Sequence, residues 1–239
     1  MKYLLVFLLI SIKSFSLSEE DLNDVFVNFH QAYSKKLLVD YEAELQFNPA
    51  PKGFDSSYWW EIDHASARFV MIDNVTPKQL NIFVFGGLAR VAEMNKDSMA
   101  ISICHELGHL LAGPPYKLNG SSVEGAADYF SSGSCLRQYF MQNPPQGLRA
   151  PSLRETETCE SHYSDDISKK LCLRSFAAID GQLNFLRLEN VGLGFWDESK
   201  HIAKSIQQND YYYPEPSCRL QTMRNAILNE PAPICWLPR

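Results

Sequence analysis

The chain has 239 residues, of which 45% are apolar and 21% charged, and its formal net charge is −6. This composition is typical of a globular protein and argues against a disordered chain, a collagen-like repeat or a coiled coil. No run of basic residues is longer than two, whereas a nucleic-acid-binding surface needs clustered lysine and arginine, so no nucleic-acid partner is expected.

The N-terminus has the pattern of a secretory signal peptide. After a positively charged start, Tyr3–Ile12 is a largely apolar run, and Ser14 and Ser16 supply the small residues of a cleavage site after Ser16. Such a run is too short to cross a bilayer as a helix. We expect residues 1–16 to be removed on export and residues 17–239 to be periplasmic or secreted, without stable membrane insertion. The alternatives are an N-terminal core helix and an uncleaved anchor.

Six cysteines follow this segment, and no two of them have the Cys-x-x-Cys spacing. In an exported chain an even number of cysteines favours disulfides over thiolate metal sites. Short local loops favour the pairs Cys159–Cys172 and Cys218–Cys235, which leaves Cys104 and Cys135.

The N-terminal third of the chain contains a helix and several strand-like runs. Residues 19–38 have apolar side chains at helical spacing, and residues 48–56 are a loop rich in proline and glycine. The strand-like runs are Tyr58–Ile62, Ala67–Ile72 and Leu80–Phe85, the last of which ends at Gly86-Gly87.

Two helices are predicted in the middle of the chain. The first runs from about Asp97 to Ala112 and stops at Gly113-Pro114-Pro115, which cannot continue a helix. The second runs from near Ser121 to about Met141.

The C-terminal half is predicted to be mainly helical. Residues 143–151 are typical of a linker, residues 155–208 favour helix, and the tail from Tyr211 is rich in proline. We therefore expect one α+β domain with a core at about residues 57–142. A disulfide-pinned helical extension follows, at about residues 152–239.

The first of the two central helices carries an HExxH motif, His105-Glu106-Leu107-Gly108-His109. Positions four apart lie on one face of a helix, so both imidazoles can reach one metal ion. Glu106 lies beside them, where its carboxylate can take a proton from an activated water. Cys104 points away from the ligand face. The motif also occurs by chance, but an amphipathic helix preceded by strands in an exported chain favours a metal site.

A third ligand is available at the start of the second helix. Glu124 and Asp128 are four residues apart, and in an antiparallel helix pair Glu124 completes a His–His–Glu set for one Zn²⁺ per chain. Asp128 then accepts the second ring proton of His105. In the alternative, Ser121 and Glu124 form a capping box and Glu124 only satisfies a backbone amide. A smaller variant of that alternative makes Asp128 the third ligand.

This pair of helices resembles the gluzincin zinc metallopeptidases, and more closely the family of the CAAX prenyl proteases and their soluble exported bacterial relatives. The similarity covers residues 80–90, residues 101–113 and residues 124–136, and loosely residues 213–220. Residues 17–79 carry little of it. The resemblance implies a zincin-like fold and hydrolysis of a peptide or protein substrate.

Two residues of the tail become candidates through this resemblance. Tyr213 stands where the family has a histidine near the transition-state oxyanion, and its hydroxyl can donate the same hydrogen bond. Equally, Tyr213 and its tyrosine neighbours could simply pack the Pro-rich tail. Arg219 is a second candidate for stabilising charge, although a lone arginine is more often found in a surface salt bridge.

The resemblance also suggests a substrate-binding strand. In zinc peptidases of this kind an edge strand hydrogen-bonds an extended peptide. Leu80–Phe85 is the candidate, with Gly86-Gly87 allowing the peptide to approach closely. The alternative is an ordinary internal strand.

The leading hypothesis is a secreted or periplasmic zinc endopeptidase with Glu106 as its general base. One alternative is an inactive binding module derived from a peptidase, which the tyrosine at position 213 favours and the intact Glu106 opposes. Another is a hydrolase of cell-wall peptides or amides. Substrate specificity and oligomeric state do not follow from the sequence. The remaining histidines are expected to be structural or solvated: His30, His64, His162 and His201.

Overall fold

The computed structural model describes residues 16–145 and 149–238, so the predicted signal peptide lies outside the described residues except for Ser16. The fold is α+β. Its N-terminal elements are α1 (Glu19–Tyr41), β1 (Ala43–Phe47), β2 (Ala67–Ile72), β3 (Lys78–Val84) and the short α2 (Gly86–Ala89). These are followed by α3 (Lys96–Leu111), α4 (Glu124–Phe130), a π-helical turn (Ser131–Cys135), α5 (Leu136–Gln142), α6 (Leu153–His162), α7 (Asp166–Arg187) and α8 (Pro216–Ile227).

In the described part of the chain one small sheet is present, with the strand order β1-β3-β2. β3 pairs in parallel with β1 and antiparallel with β2. Because β3 has a neighbour on both sides, it has no free edge for a peptide, and the prediction that Leu80–Phe85 binds substrate is wrong. β2 is the edge strand that lies against α3.

The strand predicted at Tyr58–Ile62 is also wrong, because these residues form turns. Trp59 is held by its side chain: the indole donates to the carbonyl of Pro49 and the rings of Phe83 and Phe85 pack against it. The strand β1 was missed, since five residues directly after a long helix give too short a pattern.

Gly86 and Gly87 allow a close approach, but of the protein's own chain. Their N–H groups donate to the carbonyls of Trp59 and Ile62. A Cβ on Gly86 would lie 1.8 Å from the backbone oxygen of Trp60. The space predicted for a peptide is therefore filled by the turn segment.

The central helix is α3, which packs against α1, α4, α7 and β2. Asn95 caps its N-terminus, accepting a hydrogen bond from the Ser98 N–H. Every residue from Asp97 to His109 is buried. The prediction that this helix is amphipathic is wrong, because it lies inside the protein, where its polar residues need internal partners.

The predicted helix near 121–141 exists, but it begins at Glu124 and contains the π-helical turn before α5. In the C-terminal half, helix continues only to Arg187, so the prediction up to residue 208 is too long. The irregular segment that follows reaches α8, which packs on α4.

Three disulfides are present among the described residues, and the two local pairings predicted from the sequence are confirmed. They are Cys159–Cys172 and Cys218–Cys235, and the remaining cysteines form Cys104–Cys135. Within the described ranges, no helix has both the length and the apolar character required to cross a bilayer.

Candidate metal centre

The centre forms where α3 and α4 cross at very short distance. Gly108 makes this possible, because a Cβ at that position would lie 2.9 Å from the Cα of Ala127. The helices are antiparallel: Asp128 lies beside His105, while Ser122, just before α4, bonds the backbone of His109. The antiparallel arrangement expected from the sequence is present.

Three donor side chains converge at this crossing. The Nε2 atom of His105 lies 3.1 Å from Oε2 of Glu124, and that of His109 lies 3.5 Å from Oε1. All three residues are buried, and one ligand atom from each lies within 4.8 Å of the others. A buried His105–His109–Glu124 group is therefore able to hold a metal ion.

Hydrogen bonds fix the direction in which each imidazole presents its lone pair. The Nδ1 atom of His109 lies 2.9 Å from the carbonyl oxygen of Ser122, which can only accept, so Nδ1 carries the proton. The Nδ1 atom of His105 donates in the same way to Oδ1 of Asp128 at 2.8 Å. When both rings are neutral, each consequently directs an Nε2 lone pair towards Glu124.

The carboxylate of Glu124 completes this set of acceptors. Among the described residues, its Oε2 atom is buried without a hydrogen-bond partner. Two imidazole lone pairs and a buried carboxylate oxygen directed at one another can share one cation, either a proton or a metal ion. Two imidazole nitrogens with one carboxylate are a usual donor set for catalytic Zn²⁺, so the residues fit this ion.

A proton competes with a metal for the same place. Burial alone would lower the pKa of His105, but the charges of Asp128 and Glu124 raise it to about 10. Burial lowers the pKa of His109 to about 4. Burial would raise the pKa of Glu124, yet its contact with His105 holds that pKa below the usual range. Without a metal, one proton on His105 therefore occupies the set at neutral pH.

Arg219 lies behind this cluster. It is buried, and its Nε and Nη2 atoms donate to Oδ2 and Oδ1 of Asp128 at 2.8 and 2.9 Å. Burial opposes ionisation of Asp128, but the charge of Arg219 keeps the pKa of that carboxyl low. The expectation of a surface salt bridge is wrong, since Arg219 fixes the carboxylate that orients His105.

Glu106 lies beside the donors but outside the donor group. It lines a cavity of about 220 Å³ together with His105, Tyr213 and Arg219. Burial raises the pKa of Glu106 to about 7. A carboxylate with this pKa can take up and release a proton near neutral pH, as a general base must.

Tyr213 is 57% exposed, yet it lines the cavity of Glu106 and its ring centre lies 5.8 Å from the guanidinium carbon of Arg219. Burial, reinforced by the charges of Glu124 and Glu106, raises the pKa of Tyr213 to about 12. The hydroxyl therefore keeps its proton and can donate it in a hydrogen bond.

The capping-box alternative for Glu124 is wrong. The N-cap of α4 is Val123, which makes no side-chain cap, and the Ser121 hydroxyl donates to Asn119 instead. The variant with Asp128 as third ligand is also excluded, because both of its oxygens are bonded to Arg219 and one also to His105.

Sequence reasoning missed one residue of the cluster. Lys117 is buried, and its Nζ atom lies 2.6 Å from Oε1 of Glu124. Lys117 belongs to no motif and to no periodic pattern of apolar residues. The only available signal was the position of Lys117 on the short connection between the two helices, residues 112–123.

The remaining histidines do not join the donor group found in the described residues. His162 pairs with Glu230, and His64 lies at the rim of the Glu106 cavity. A larger cavity of about 760 Å³ lies on the other side of α4, against Tyr129 and Phe130, and contains none of the donors.

No protein-family model, curated protein or solved structure matches this chain. The resemblance to the CAAX prenyl protease family and its relatives therefore stays a prediction.

Proposed function

We propose that this protein is an exported zinc-dependent endopeptidase. The observation that carries the proposal is the convergence of three buried donors, both imidazoles held in the required tautomer, beside a carboxylate outside the donor set. The cluster can be explained without a nucleophilic side chain and without a redox centre. Its chemistry is that of activating water.

His105, His109 and Glu124 would hold Zn²⁺, which supplies Lewis acidity towards a water molecule and the scissile carbonyl. Glu106 takes the proton from the attacking water and delivers it to the leaving amine. Its pKa of about 7 suits both steps. Asp128 keeps the ring of His105 in place, and Tyr213 donates a hydrogen bond to the developing oxyanion.

The edge strand β2 supports an extended peptide as substrate. Phe69 in this strand stacks on the imidazole of His109, with ring centres 5.3 Å apart. The open edge of β2 thus runs past the donors, and backbone pairing there would lay a peptide across them. This role replaces the one predicted for β3.

Export is supported by the three disulfides, because such bonds persist in oxidising compartments. The pairs are distributed over the centre and the C-terminal helices. A periplasmic or secreted location agrees with this and with the predicted signal peptide.

The proposal is tested by metal analysis of the purified protein combined with digestion of an unbiased peptide library. We expect one equivalent of zinc and cleavage that a chelator abolishes and added zinc restores. A protein that contains no metal and binds none would overturn the proposal. Stoichiometric zinc with no cleavage of any peptide would leave a metal-stabilised binding module instead.

A further inference from the structure

The buried lysine at the metal centre has no role in the mechanism above. Lys117 is 8% exposed, and its ammonium lies 2.6 Å from Oε1 of Glu124. A buried charge is costly unless it is paired. In the described residues the one carboxylate in contact with this ammonium is the proposed metal ligand.

Backbone hydrogen bonds fix the position of this lysine. The N–H of Lys117 donates to the carbonyl of Ser121 at 2.7 Å, and its carbonyl accepts from Gly120 at 3.1 Å. The next N–H, that of Leu118, donates to the carbonyl of Gln208 at 3.0 Å. These bonds close the turn at Lys117 and anchor it to the segment at Gln208. They therefore fix the position from which the lysine side chain reaches Glu124, and this contact is part of the fold.

Each of the three donor residues has one hydrogen-bond partner behind it. The partners of the two histidines are acceptors, whereas the partner of Glu124 is positively charged. A carboxylate or carbonyl acceptor behind an imidazole makes it a stronger ligand, because it pushes electron density towards the metal. An ammonium on a carboxylate withdraws charge from the ligand. The pairs are His105 with Asp128, His109 with the carbonyl of Ser122, and Glu124 with Lys117.

The charge balance of the buried cluster shows what the lysine does. When His105 is neutral, as metal binding requires, and Glu106 is ionised, the three carboxylates of Glu106, Glu124 and Asp128 stand against two cations, Arg219 and Lys117. A divalent ion added to this excess of one negative charge leaves the cluster with one positive charge. Without the lysine the excess is two negative charges, which a divalent ion neutralises completely.

We propose that Lys117 is the resident counter-ion of Glu124, which stabilises the metal-free fold and holds metal affinity below that of an uncompensated His–His–Glu site. The inference rests on the proposed metal centre. It assigns to this chain a site that exchanges its metal more readily than the donor set alone implies.

Two effects of the lysine oppose each other. Its hydrogen bond helps to orient Glu124, and loss of such outer contacts weakens metal binding. Its charge repels a divalent ion in a buried site where screening is weak. Repulsion is the larger effect, because α4 already places Glu124 against both imidazoles, whereas among the described residues Glu124 is the one carboxylate that contacts the ammonium.

The test compares metal affinity and metal-free stability in three variants of the full chain. Lys117→Met removes the charge at nearly constant size, Lys117→Gln keeps a donor without charge, and Lys117→Arg keeps the charge. Lys96→Met is the matched control, since Lys96 pairs with Asp21 and Asp24 away from the centre. Zn²⁺ and Co²⁺ affinities are measured by chelator competition, and melting temperatures by circular dichroism of the metal-free proteins.

We expect Lys117→Met and Lys117→Gln to bind metal at least about tenfold more tightly than wild type and to melt at lower temperature without it. Lys117→Arg and Lys96→Met should keep wild-type affinity. If the Lys117→Met protein folds only when metal is bound, that result also supports the inference.

Equal or weaker binding by both neutral variants, with wild type still binding zinc, overturns the inference and leaves the proposed function intact. If wild type binds no metal but Lys117→Met does, the inference stands and the proposed function fails. If neither binds, both fail.

Discussion

The Nδ1 atom of His105 donates a 2.8 Å hydrogen bond to Asp128, whose carboxylate is held from behind by two hydrogen bonds from Arg219. A ring clamped in this way cannot rotate, so its Nε2 atom stays directed at Glu124. The relay joins α3, α4 and α8 through buried side chains. It links the proposed metal ligand to the C-terminal part of the chain.

Asp128→Asn should reduce metal affinity by about 10–100-fold, because the neutral amide no longer polarises the imidazole. It should also destabilise the protein by about 3 kcal/mol, since Arg219 is left buried without a counter-charge. Chemical denaturation and chelator competition measure the two effects separately.

Asp97→Asn is the control for this variant. Asp97 forms the same two-bond pair with Arg174, at 2.7 and 2.8 Å, outside the donor cluster. Its loss should cost similar stability and leave metal affinity unchanged. If both variants change affinity alike, the relay has no special role.

His109→Ala should lose most of the bound zinc, because two remaining donors cannot hold the ion against solvent. His162→Ala is the control, since that histidine is partly exposed and pairs with Glu230. Metal content after exhaustive dialysis is the measurement. Full retention by His109→Ala would remove the metallopeptidase interpretation.

Glu106→Gln should fold and bind zinc as wild type does while cleaving peptides about 10²–10⁴-fold more slowly. The amide keeps the size of the side chain but cannot take up a proton at neutral pH. Initial rates on a peptide found in the library digest provide the measurement. Equal rates in both proteins would assign the cleavage to a contaminant or another site.

Metal affinity should rise with pH between pH 6 and 8, because metal binding displaces a proton from His105. Below its pKa of about 10 the metal-free His105 carries a proton, which must leave when the metal binds. His109, with a pKa of about 4, has no proton to lose in this range. Titration calorimetry in two buffers of different ionisation enthalpy counts the released proton. A pH-independent affinity would contradict this assignment.

Gly108→Ala should separate the helices and weaken both stability and metal binding. The new Cβ would meet the backbone of Ala127 at 2.9 Å, which no side-chain rotation relieves. Gly133→Ala is the matched control, because there the closest atoms are 3.5 Å away. We expect a loss of about 1–3 kcal/mol for the first variant and little change for the second.

The sequence allowed the centre to be predicted better than the fold around it. Helical periodicity determines which residues share a face, so HExxH and the Glu124–Asp128 spacing indicated the contacts that the structure contains. The neighbours of β3 depend on distant parts of the chain, and no local pattern distinguishes a central strand from an edge strand. The burial of Arg219 and the contact of Lys117 are likewise results of packing, which spacing does not record.

The Cys104–Cys135 bridge joins the residue immediately before His105 to the π-helical turn beyond Asp128, and the hydroxyl of Tyr33 reaches Cys135 from α1. Such bonds form and persist mainly in oxidising compartments. In a chain exported as we propose, the two helices that carry the donors would be locked together only at the destination. Synthesis and completion of the centre would thus be separated in time.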